Sequence, residues 1–257
     1  MKVVILAGGL GSRLSEETIL KPKPMVEIGG MPIIWHIMKH YSQYGFKDFV
    51  ICTGYKGEVI KDFFLKYHLF QNDFSLKLSD GSFNIITNNT EDWNITFIDS
   101  GKVAETAERL KSVRNYIGSD ESFAFTYGDG VSNIDFDSQF HFHQKHDSVV
   151  TMTGVSVPNR YGTIEYLDNK VKRFVEKPEE TTNLINGGFF ILRKTVFGLM
   201  QPDEKSWEAE VLPRLAEEQQ ISVFKHSGFW HAMDTVRDRD FLESQWASGN
   251  PPWKVWV

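Results

Sequence analysis

A short apolar run near the start of the chain, which ends in a glycine-rich turn, constrains the fold more than any other feature. Residues 3–7 read VVILA, and no polar side chain interrupts them. Such a run is typical of a strand that is buried on both faces, as strands of parallel sheets are. The turn that follows, residues 8–14, would then lie at the carboxyl edge of the sheet, where open α/β folds bind their ligands. The sequence therefore predicts an α/β fold with a binding site at this turn.

Strands and helices are predicted to alternate along the rest of the chain. Further strands are predicted at residues 49–52, 94–99, 123–127, 149–157, 162–165 and 186–192, and helices at residues 32–44, 58–67, 104–116 and 207–219. Between about residues 70 and 93, the polar composition and weak alternation predict a small β excursion. Alternating strands and helices favour right-handed crossovers. We therefore expect a mixed, mostly parallel central sheet that is flanked by helices.

The chain shows no sign of division into separate domains. No Pro/Gly/Ser-rich linker and no internal repeat interrupts its 257 residues, so one domain is expected over residues 1–257. The tail at residues 241–257 ends in PPWKVWV, which is aromatic and apolar. Because a solvated tail rarely has this composition, we expect it to pack on its own domain or on a neighbouring subunit.

Composition and charge exclude several classes of protein. Apolar residues make up 41% and charged residues 24%, as in average globular proteins, so disorder and coiled coil are excluded for the whole chain. A net charge of −6 gives no global attraction for nucleic acid or an anionic membrane. A single cysteine, Cys52, indicates a reducing compartment. The first apolar run is too short for a signal peptide or a membrane span. We expect a cytoplasmic protein with no nucleic-acid or membrane partner.

The glycine turn has the composition of a phosphate-binding loop. It contains Gly8, Gly9 and Gly11, which let the backbone approach a phosphate closely. It does not fit a dinucleotide fingerprint, because Leu14 stands where a third glycine is needed, and no Gly-Lys-Ser/Thr closes it as a P-loop. A tight structural turn is the alternative. The nearby Lys21-Pro22-Lys23-Pro24 favours binding, since its prolines keep the segment extended and place rigid lysines beside the turn.

Several motifs together resemble the sugar-phosphate nucleotidyltransferases, which are also called sugar-nucleotide pyrophosphorylases. The motifs are LAGGLGSRL, KPKPMVEIGGMPIIWHIM, TYGDGV, EKP, INGGFF, GFWHAMDT and PPWK, and they extend over almost the whole chain. They are most similar to the cytidylyl branch of that family. The resemblance implies a Rossmann-like nucleotidyltransferase fold and the reaction of CTP with glucose 1-phosphate to give CDP-glucose and diphosphate. It also implies a homo-oligomer, a hexamer in this branch, and a role in making precursors of surface polysaccharide such as O-antigen.

The resemblance also implies which residues form the site. A nucleotide-binding half, about residues 1–130, would supply Leu6, Ala7, Gly8, Gly9, Leu10, Gly11, Ser12, Arg13, Lys23, Ala104, Thr106, Arg109 and Gly128. A sugar-phosphate-binding half, about residues 131–240, would supply Glu176, Lys177, Asn186 and Gly187. The catalytic residues would be Arg13, on the departing phosphates, and Lys23, on the α-phosphate. Because both reactants are anionic, catalysis would come from positioning and charge neutralisation, without a nucleophilic side chain.

Two carboxylates, Asp129 and Asp234, match the metal pair of the family. One or two carboxylates together with substrate phosphates are enough to hold Mg²⁺, so Mg²⁺ is the expected cofactor. On residue pattern alone, each aspartate could instead form a turn or cap a helix. The histidines at positions 141, 143 and 146 are not expected to bind a metal, because only the last two share a helix face. A surface helix is the preferred interpretation of that segment.

Three other functions are alternatives to the cytidylyltransferase that the resemblance implies. A uridylyl- or thymidylyltransferase that acts on another sugar 1-phosphate would need the same machinery. A non-catalytic regulatory protein that binds nucleotide sugars would be expected to have lost some of it, yet the chain retains Arg13, Lys23, Asp129, Lys177 and Asp234. A glycosyltransferase normally needs an Asp-x-Asp-like metal motif, which Gly-Asp-Gly at residues 128–130 does not supply.

The segment that would face the base departs from the cytidylyl branch, which reads Thr-Gly-Gly-Arg where this chain has Thr106-Ala107-Glu108-Arg109. A positive φ at Ala107 or Glu108 would cost about 1 kcal/mol, and Glu108 would add negative charge where a triphosphate enters. Arg109 can donate to a pyrimidine oxygen but cannot accept from an amino group. The acceptor would then be a backbone carbonyl of residues 6–9 or of Ala104. We expect a preference for CTP, with some use of UTP and less of purine nucleotides.

Overall fold

The computed structural model describes residues 1–9, 21–156, 163–167, 170–175 and 184–256. Its strands are β1 (Val3–Leu6), β2 (Glu27–Ile28), β3 (Met31–Pro32), β4 (Asp48–Thr53), β5 (Phe74–Lys77), β6 (Ser82–Ile85), β7 (Asn94–Asp99), β8 (Ser122–Tyr127), β9 (Gly130–Ser132), β10 (Val150–Val155), β11 (Thr163–Leu167), β12 (Lys170–Val175), β13 (Ile185–Arg193), β14 (Ile221–His226) and β15 (Trp230–Ala232). Its α-helices are α1 (Ile33–Gln43), α2 (Gly57–Phe70), α3 (Thr106–Ser112), α4 (Phe136–Lys145), α5 (Val196–Leu199), α6 (Leu212–Glu217) and α7 (Val236–Ala247). None of the helices in these ranges is long and apolar enough to cross a membrane.

Among the described residues, seven strands form the central sheet, in the order β14-β10-β13-β8-β1-β4-β7. Strand β1 pairs in parallel with β4 and β8, β4 with β7, and β10 with β14. Strand β13 runs antiparallel to both of its neighbours, β10 and β8. The prediction of a mixed, mostly parallel α/β sheet is therefore confirmed.

Strand β1 is buried on both faces, as its apolar run predicts. Val3 and Ile5 pack into one apolar core, whereas Val4 and Leu6 pack into a second core on the other face of the sheet. None of the four side chains is more than 7% exposed. The carboxyl end of β1, which carries the glycine turn, is therefore fixed at the centre of the sheet.

The structure confirms one of the smaller predicted β elements and corrects another. The predicted β excursion is present, because β5 and β6 pair as an antiparallel hairpin. The predicted strand at residues 162–165 does not join the central sheet. It corresponds to β11, which pairs only with β12 in a separate two-stranded hairpin within the described residues. Alternation of side chains identifies a strand but not its partner.

Two predicted helices are shorter than their sequence patterns suggest. The helix expected at residues 104–116 begins at Thr106, because Glu105 and Glu108 form a capping box, and it ends at Ser112 before a 3₁₀ turn at Arg114–Tyr116. The helix expected at residues 207–219 is divided into a π-helical turn, Trp207–Val211, and α6. Pro213 has no N–H to donate to the preceding turn, which accounts for the change in hydrogen bonding there.

The surface interpretation of the three histidines is wrong for one of them. His143 is only 1% exposed, and its Nδ1 lies 2.8 Å from Thr151 Oγ1 in the interior. Burial lowers the pKa of His143 to about 4. His141 and His146 are exposed, as expected. The described residues contain no group of three or more His, Cys, Asp or Glu side chains that could hold a metal.

The aromatic tail packs on its own domain, which is one of the two places expected for it. Trp253 is fully buried, and Trp256 is 7% exposed. Both lie around the ring of His36 in α1, and Trp253 Nε1 donates to His36 Nδ1 at 3.4 Å. The other ring nitrogen, Nε2, lies 2.8 Å from the Ile28 carbonyl oxygen, and burial lowers the pKa of His36 to about 4. A neutral imidazole therefore joins the tail to α1.

We expect Trp253→Ala to destabilise the protein by about 3–5 kcal/mol, because a fully buried indole leaves a cavity that the core cannot refill. The free energy of unfolding from urea titrations measures the effect. Lys254→Ala, which truncates an exposed neighbour in the same tail, is the control and should change that free energy by less than about 0.5 kcal/mol. Equal effects of the two substitutions would contradict a structural role for the tail.

Candidate active site

A cavity of about 590 Å³ opens at the carboxyl ends of β1 and β8. It is lined by Leu6, Ala7, Gly9, Lys23, Pro24, Lys102, Val103, Ala104, Glu105, Thr106, Arg109, Tyr127, Gly128, Asp129, Ser206, Glu208 and Asp234. Open α/β sheets place their ligands at this edge because strand ends and loops meet there. We call this space the first cavity.

Arg109 connects the ends of three neighbouring strands beside the first cavity. Its side chain is 4% exposed, and it comes from α3. Nη2 donates to the Gly8 carbonyl oxygen at 2.9 Å, and Nη1 donates to Ser100 Oγ at 2.6 Å and to the Thr53 carbonyl oxygen at 3.4 Å. Burial lowers the pKa of Arg109 below its ordinary value. The guanidinium that was expected to contact a base is thus largely engaged with the chain itself.

The Arg109 guanidinium packs directly against the backbone at two glycines, Gly8 and Gly54. A Cβ atom at Gly8 would lie 2.0 Å from Arg109 Nη1, and one at Gly54 would lie 2.4 Å from the same atom. A Cβ atom at Gly9 would meet none of the described residues within 4 Å. The first glycine of the turn therefore has a packing role, while Gly9 faces open space at the cavity.

A carboxylate from the π-helical turn forms part of the cavity wall. Glu208 accepts a hydrogen bond from the Tyr127 hydroxyl through Oε1, and one from Thr106 Oγ1 at 2.6 Å through Oε2. Thr106 Oγ1 in turn accepts from the Trp207 backbone N–H at 2.8 Å. Burial raises the pKa of Tyr127, and the nearby Glu208 raises it further, so this hydroxyl remains a donor. These bonds connect the ends of β8 and α3 to the segment after α5.

The Lys23 ammonium lies between the two predicted metal ligands. Nζ is 2.7 Å from Asp129 Oδ2 and 2.7 Å from Asp234 Oδ1, and the Lys23 side chain is 12% exposed. Burial acts to lower the pKa of Lys23, but the charges of both aspartates and their hydrogen bonds outweigh it and raise the pKa. The two carboxylates thus converge on one point, which neither spacing nor composition could show.

Backbone pairing explains how residues so far apart in sequence meet. Strands β9 and β15 pair with Gly130 opposite Ala232, and the Met233 N–H donates to the Asp129 carbonyl oxygen at 2.9 Å. The helix that follows is capped by Thr235, whose hydroxyl accepts from the Asp238 N–H at 3.2 Å. Helix capping is therefore not the role of the Asp234 side chain, which pairs with Lys23 instead.

A second cavity, of about 220 Å³, adjoins the first. It is lined by Thr126, Tyr127, Asp129, Gly130, Asn186, Gly187, Gly188, Phe189, Trp230, Ala232 and Asp234. Asn186 Oδ1 accepts from the Gly188 N–H at 2.8 Å, and the Gly187 carbonyl oxygen accepts from Trp230 Nε1 at 2.7 Å. Tyr127, Asp129 and Asp234 line both cavities, so the two spaces meet at the carboxylate pair.

The structure brings together most of the site residues that it describes. The first cavity collects Leu6, Ala7, Gly9, Lys23, Ala104, Thr106, Arg109, Gly128, Asp129 and Asp234, and the second collects Asn186 and Gly187. Gly8 lies behind the first cavity and accepts from Arg109. Leu10, Gly11, Ser12, Arg13, Glu176 and Lys177 lie outside the described residues.

Three residues that line the first cavity, Tyr127, Ser206 and Glu208, were not predicted from the sequence. Tyr127 precedes Gly128 and Asp129 in the TYGDGV motif, so its place beside them could have been anticipated. Glu208 lies in the segment 207–219 that was predicted only as a helix, Ser206 directly precedes it, and no motif distinguishes either from the other polar residues nearby. Their position depends on contacts with residues about a hundred positions earlier, such as Thr106.

Two expectations about charged residues near the site need correction. Glu108 does not line the first cavity, because its carboxylate accepts from the Glu105 N–H at 2.9 Å and caps α3. Ala107 and Glu108 are both helical, so no positive φ has to be accommodated there. Lys21, unlike Lys23, does not line the first cavity. Lys21 Nζ pairs with Glu27 Oε1 at 3.1 Å, away from the aspartates.

The carboxylate pair is suited to a hard divalent cation. Mg²⁺ is usually bound through one or two carboxylates, with substrate phosphates and water completing its coordination. Asp129 and Asp234 already direct one oxygen each at a single cation, the Lys23 ammonium. The site therefore fits a metal that arrives with a phosphate ligand, rather than one held by protein alone.

Comparison with known proteins agrees with this arrangement. A sequence model of the family described as Nucleotidyl transferase matches residues 2–245. The chain is 48% identical over 256 residues to glucose-1-phosphate cytidylyltransferase from Salmonella typhimurium, and 41% identical over 257 residues to the probable glucose-1-phosphate cytidylyltransferase from Bacillus subtilis. Both alignments cover 100% of each chain. The structure of HddC from Yersinia pseudotuberculosis complexed with GMP-PN superimposes with a TM-score of 0.69 and 25% identity, over 95% of this chain and 99% of that one.

We expect Gly8→Ala to destabilise the protein by about 1–3 kcal/mol, because the new methyl group would displace a buried, hydrogen-bonded guanidinium. Gly9→Ala, at the next residue of the same turn, has open space for its methyl group and should change stability by less than about 0.5 kcal/mol. Urea unfolding of the two variants measures the difference. A Gly8→Ala protein as stable as Gly9→Ala would show that Arg109 is not held as described.

Proposed function

This chain belongs to the Nucleotidyl transferase family, and we propose that it transfers the cytidylyl group of CTP to glucose 1-phosphate, with release of diphosphate. Identity of 48% over the full length to a glucose-1-phosphate cytidylyltransferase supports this choice of substrates. The observation that carries the mechanism is the meeting of two cavities at Asp129 and Asp234, both of which pair with Lys23 of the first cavity. Reaction between two bound phosphates needs such a junction.

The proposed reaction balances without a covalent enzyme intermediate. A phosphate oxygen of glucose 1-phosphate attacks the α-phosphorus of CTP and forms the new P–O bond. The bond from that phosphorus to the oxygen that bridges the α- and β-phosphates breaks, and diphosphate leaves with the electron pair. Because the phosphoryl groups are anionic throughout, positioning and neutralisation of charge supply the rate enhancement.

The first cavity is proposed to bind the nucleotide and the second to bind the sugar phosphate. The backbone at Ala7 and Gly9 and the cationic Lys23 line the first cavity, which suits a triphosphate. Asn186 and the backbone of Gly187 line the second cavity, which suits sugar hydroxyls. The resemblance adds Arg13 on the departing phosphates, and Glu176 and Lys177 on the sugar phosphate.

Asp129 and Asp234 would hold the divalent cation, Mg²⁺, which supplies positive charge to the phosphate oxygens when it is bound. Lys23 would stabilise the negative charge that develops at the α-phosphate in the transition state. Its backbone is fixed beside the cavity by the adjoining Pro24, which packs against Gly128, where a Cβ atom would lie 3.0 Å from Pro24 Cγ. To reach the α-phosphate, the Lys23 ammonium would therefore move by rotation of its side chain, while the backbone stays in place.

Two of the backbone carbonyl oxygens that were expected to accept from the cytosine amino group each already have a donor within the protein. The Leu6 carbonyl oxygen already accepts from the Gly128 N–H at 3.0 Å, and the Gly8 carbonyl oxygen accepts from Arg109. We propose Glu208 as an acceptor, because its carboxylate lines the first cavity beside Thr106 and Arg109. A carboxylate has about four acceptor positions, and the bonds from Tyr127, Thr106 and, at 3.4 Å, Ser206 leave capacity for an amino group.

We expect kcat/KM to decrease in the order CTP, UTP and then GTP or ATP when each nucleotide is paired with glucose 1-phosphate. Glu208→Gln should lower kcat/KM for CTP by about tenfold and affect UTP less, because a hydrogen bond to a charged acceptor is lost. Diphosphate release measures turnover. Glu108→Gln is the control, since Glu108 caps α3 and should not alter base choice.

Two outcomes would contradict parts of this proposal. Equal use of GTP and CTP would contradict the cytidylyl assignment and leave only the family. An equal loss with CTP and UTP in Glu208→Gln would remove Glu208 from base selection while leaving the reaction itself unaffected.

We expect Asp129→Asn and Asp234→Asn each to lower kcat by about a hundredfold or more, because either change halves the carboxylate charge available to the cation. Chelation of divalent metal by EDTA should abolish diphosphate release, and added Mg²⁺ should restore it. Glu27→Gln removes a carboxylate that pairs with Lys21 outside the first cavity, so its turnover should stay close to that of the wild type. Near-normal turnover of either aspartate variant at limiting Mg²⁺ would exclude that residue from the metal site.

A further inference from the structure

We propose that the Lys23 ammonium competes with the divalent cation for Asp129 and Asp234, so that the cation binds tightly only after a nucleotide phosphate has drawn Lys23 away. The inference rests on the proposed function for the identity of that phosphate. The ammonium lies 2.7 Å from one oxygen of each aspartate, which is within direct hydrogen-bond distance of both proposed metal ligands.

The Lys23 ammonium and a divalent metal ion would compete for the two carboxylates, because both are positively charged. The Lys23 ammonium offsets part of the negative charge of the two carboxylates, which would otherwise attract a divalent cation. A divalent cation bound to the same carboxylates would lie only a few ångströms from the ammonium, and like charges at that separation repel in a partly buried site. The Lys23 side chain is 12% exposed, whereas those of Asp129 and Asp234 are 32% and 41% exposed, so solvent screens this repulsion only in part.

The exchange needs movement of the Lys23 side chain but not of its backbone. Lys23 begins a 3₁₀ turn in which the Met25 N–H donates to the Pro22 carbonyl oxygen at 2.8 Å. Pro24 is buried and packs against Gly128. The four-carbon side chain can rotate about this fixed point, and it already lines the first cavity, where the phosphates are proposed to bind.

The aspartates would remain together after Lys23 departs. Asp129 and the neighbour of Asp234 are joined by the hydrogen bond from the Met233 N–H to the Asp129 carbonyl oxygen. The backbone N–H of Asp234 donates to Asp238 Oδ2 at 3.2 Å, and Asp238 also accepts from the Thr235 N–H at 2.8 Å. These bonds do not involve Lys23. The backbone that carries the two carboxylates is therefore held in place without Lys23.

Binding of nucleotide and metal should then be coupled. An anionic phosphate offers the ammonium a new partner, and this lowers the cost of removing it from the carboxylates. By linkage, each ligand must strengthen the binding of the other by the same factor. In the free enzyme, Lys23 would keep the aspartates from binding divalent cations tightly without substrate.

The first test measures binding of Mn²⁺ to the nucleotide-free protein, from the electron paramagnetic resonance signal of free Mn²⁺. Lys23→Met should bind Mn²⁺ about tenfold more tightly than the wild type, since the competing ammonium is gone. Lys23→Arg keeps the charge and should bind as weakly as the wild type. Lys21→Met removes a lysine two residues away that pairs with Glu27, and it should also match the wild type. Adding Asp129→Asn to Lys23→Met should abolish the gain.

Unchanged Mn²⁺ affinity in Lys23→Met would overturn the proposal, as would a gain that survives Asp129→Asn. Thermal unfolding of each variant checks that the fold is retained. This arm uses no nucleotide, so its result stands even if the enzyme proves to use a different base.

The second test uses CMP, whose single phosphate corresponds to the α-phosphate of CTP, and compares the wild type with the Lys23→Met variant. In the wild type, saturating CMP should tighten Mn²⁺ binding by about tenfold. The tightening should be clearly smaller in Lys23→Met, which has no ammonium to displace. Equal tightening in both proteins would mean that CMP acts only as an additional metal ligand and would overturn the proposed exchange. Absence of CMP binding, seen in a separate titration, would contradict the cytidylyl assignment and leave the nucleotide-free test to decide.

Discussion

Burial of β1 on both faces is the constraint on which the rest of the structure depends. A strand at the centre of a parallel sheet must present apolar side chains to two cores, and Val3 and Ile5 face one core while Val4 and Leu6 face the other. Because β1 pairs with both β4 and β8, its carboxyl end lies between theirs. The turn at Gly8 and Gly9 is consequently placed where loops from three strands can surround a ligand.

Charged side chains form the site at this edge of the sheet, and each comes from an element whose backbone is fixed by pairing or packing. Arg109 donates hydrogen bonds to carbonyl oxygens at the ends of β1 and β4, and these bonds fix the start of the glycine turn. Asp129 and Asp234 are brought together by the pairing of β9 with β15. Lys23 reaches both carboxylates from a proline-flanked turn. The chain thus positions opposite charges on rigid elements, which limits the reorganisation needed when anionic substrates bind.

The arrangement also separates two kinds of recognition. The first cavity has cationic side chains and exposed backbone together with Glu208, whereas the second is lined by Asn186, glycines and Trp230. Their shared boundary is the carboxylate pair and Tyr127. Under the proposed assignment of the two cavities, a change in one of them would alter the choice of base or of sugar while the charged junction between them stays the same.

The sequence by itself determined the α/β class, the glycine turn after β1, the excursion at β5 and β6, and the family, because apolar periodicity and local motifs are properties of short segments. It did not determine that β11 leaves the central sheet, that His143 is buried or that Glu208 lines the first cavity. Those features depend on contacts between residues far apart in the chain. The convergence of Asp129 and Asp234 on the Lys23 ammonium is of the same kind, since only the pairing of β9 with β15 brings these carboxylates within 2.7 Å of one cation.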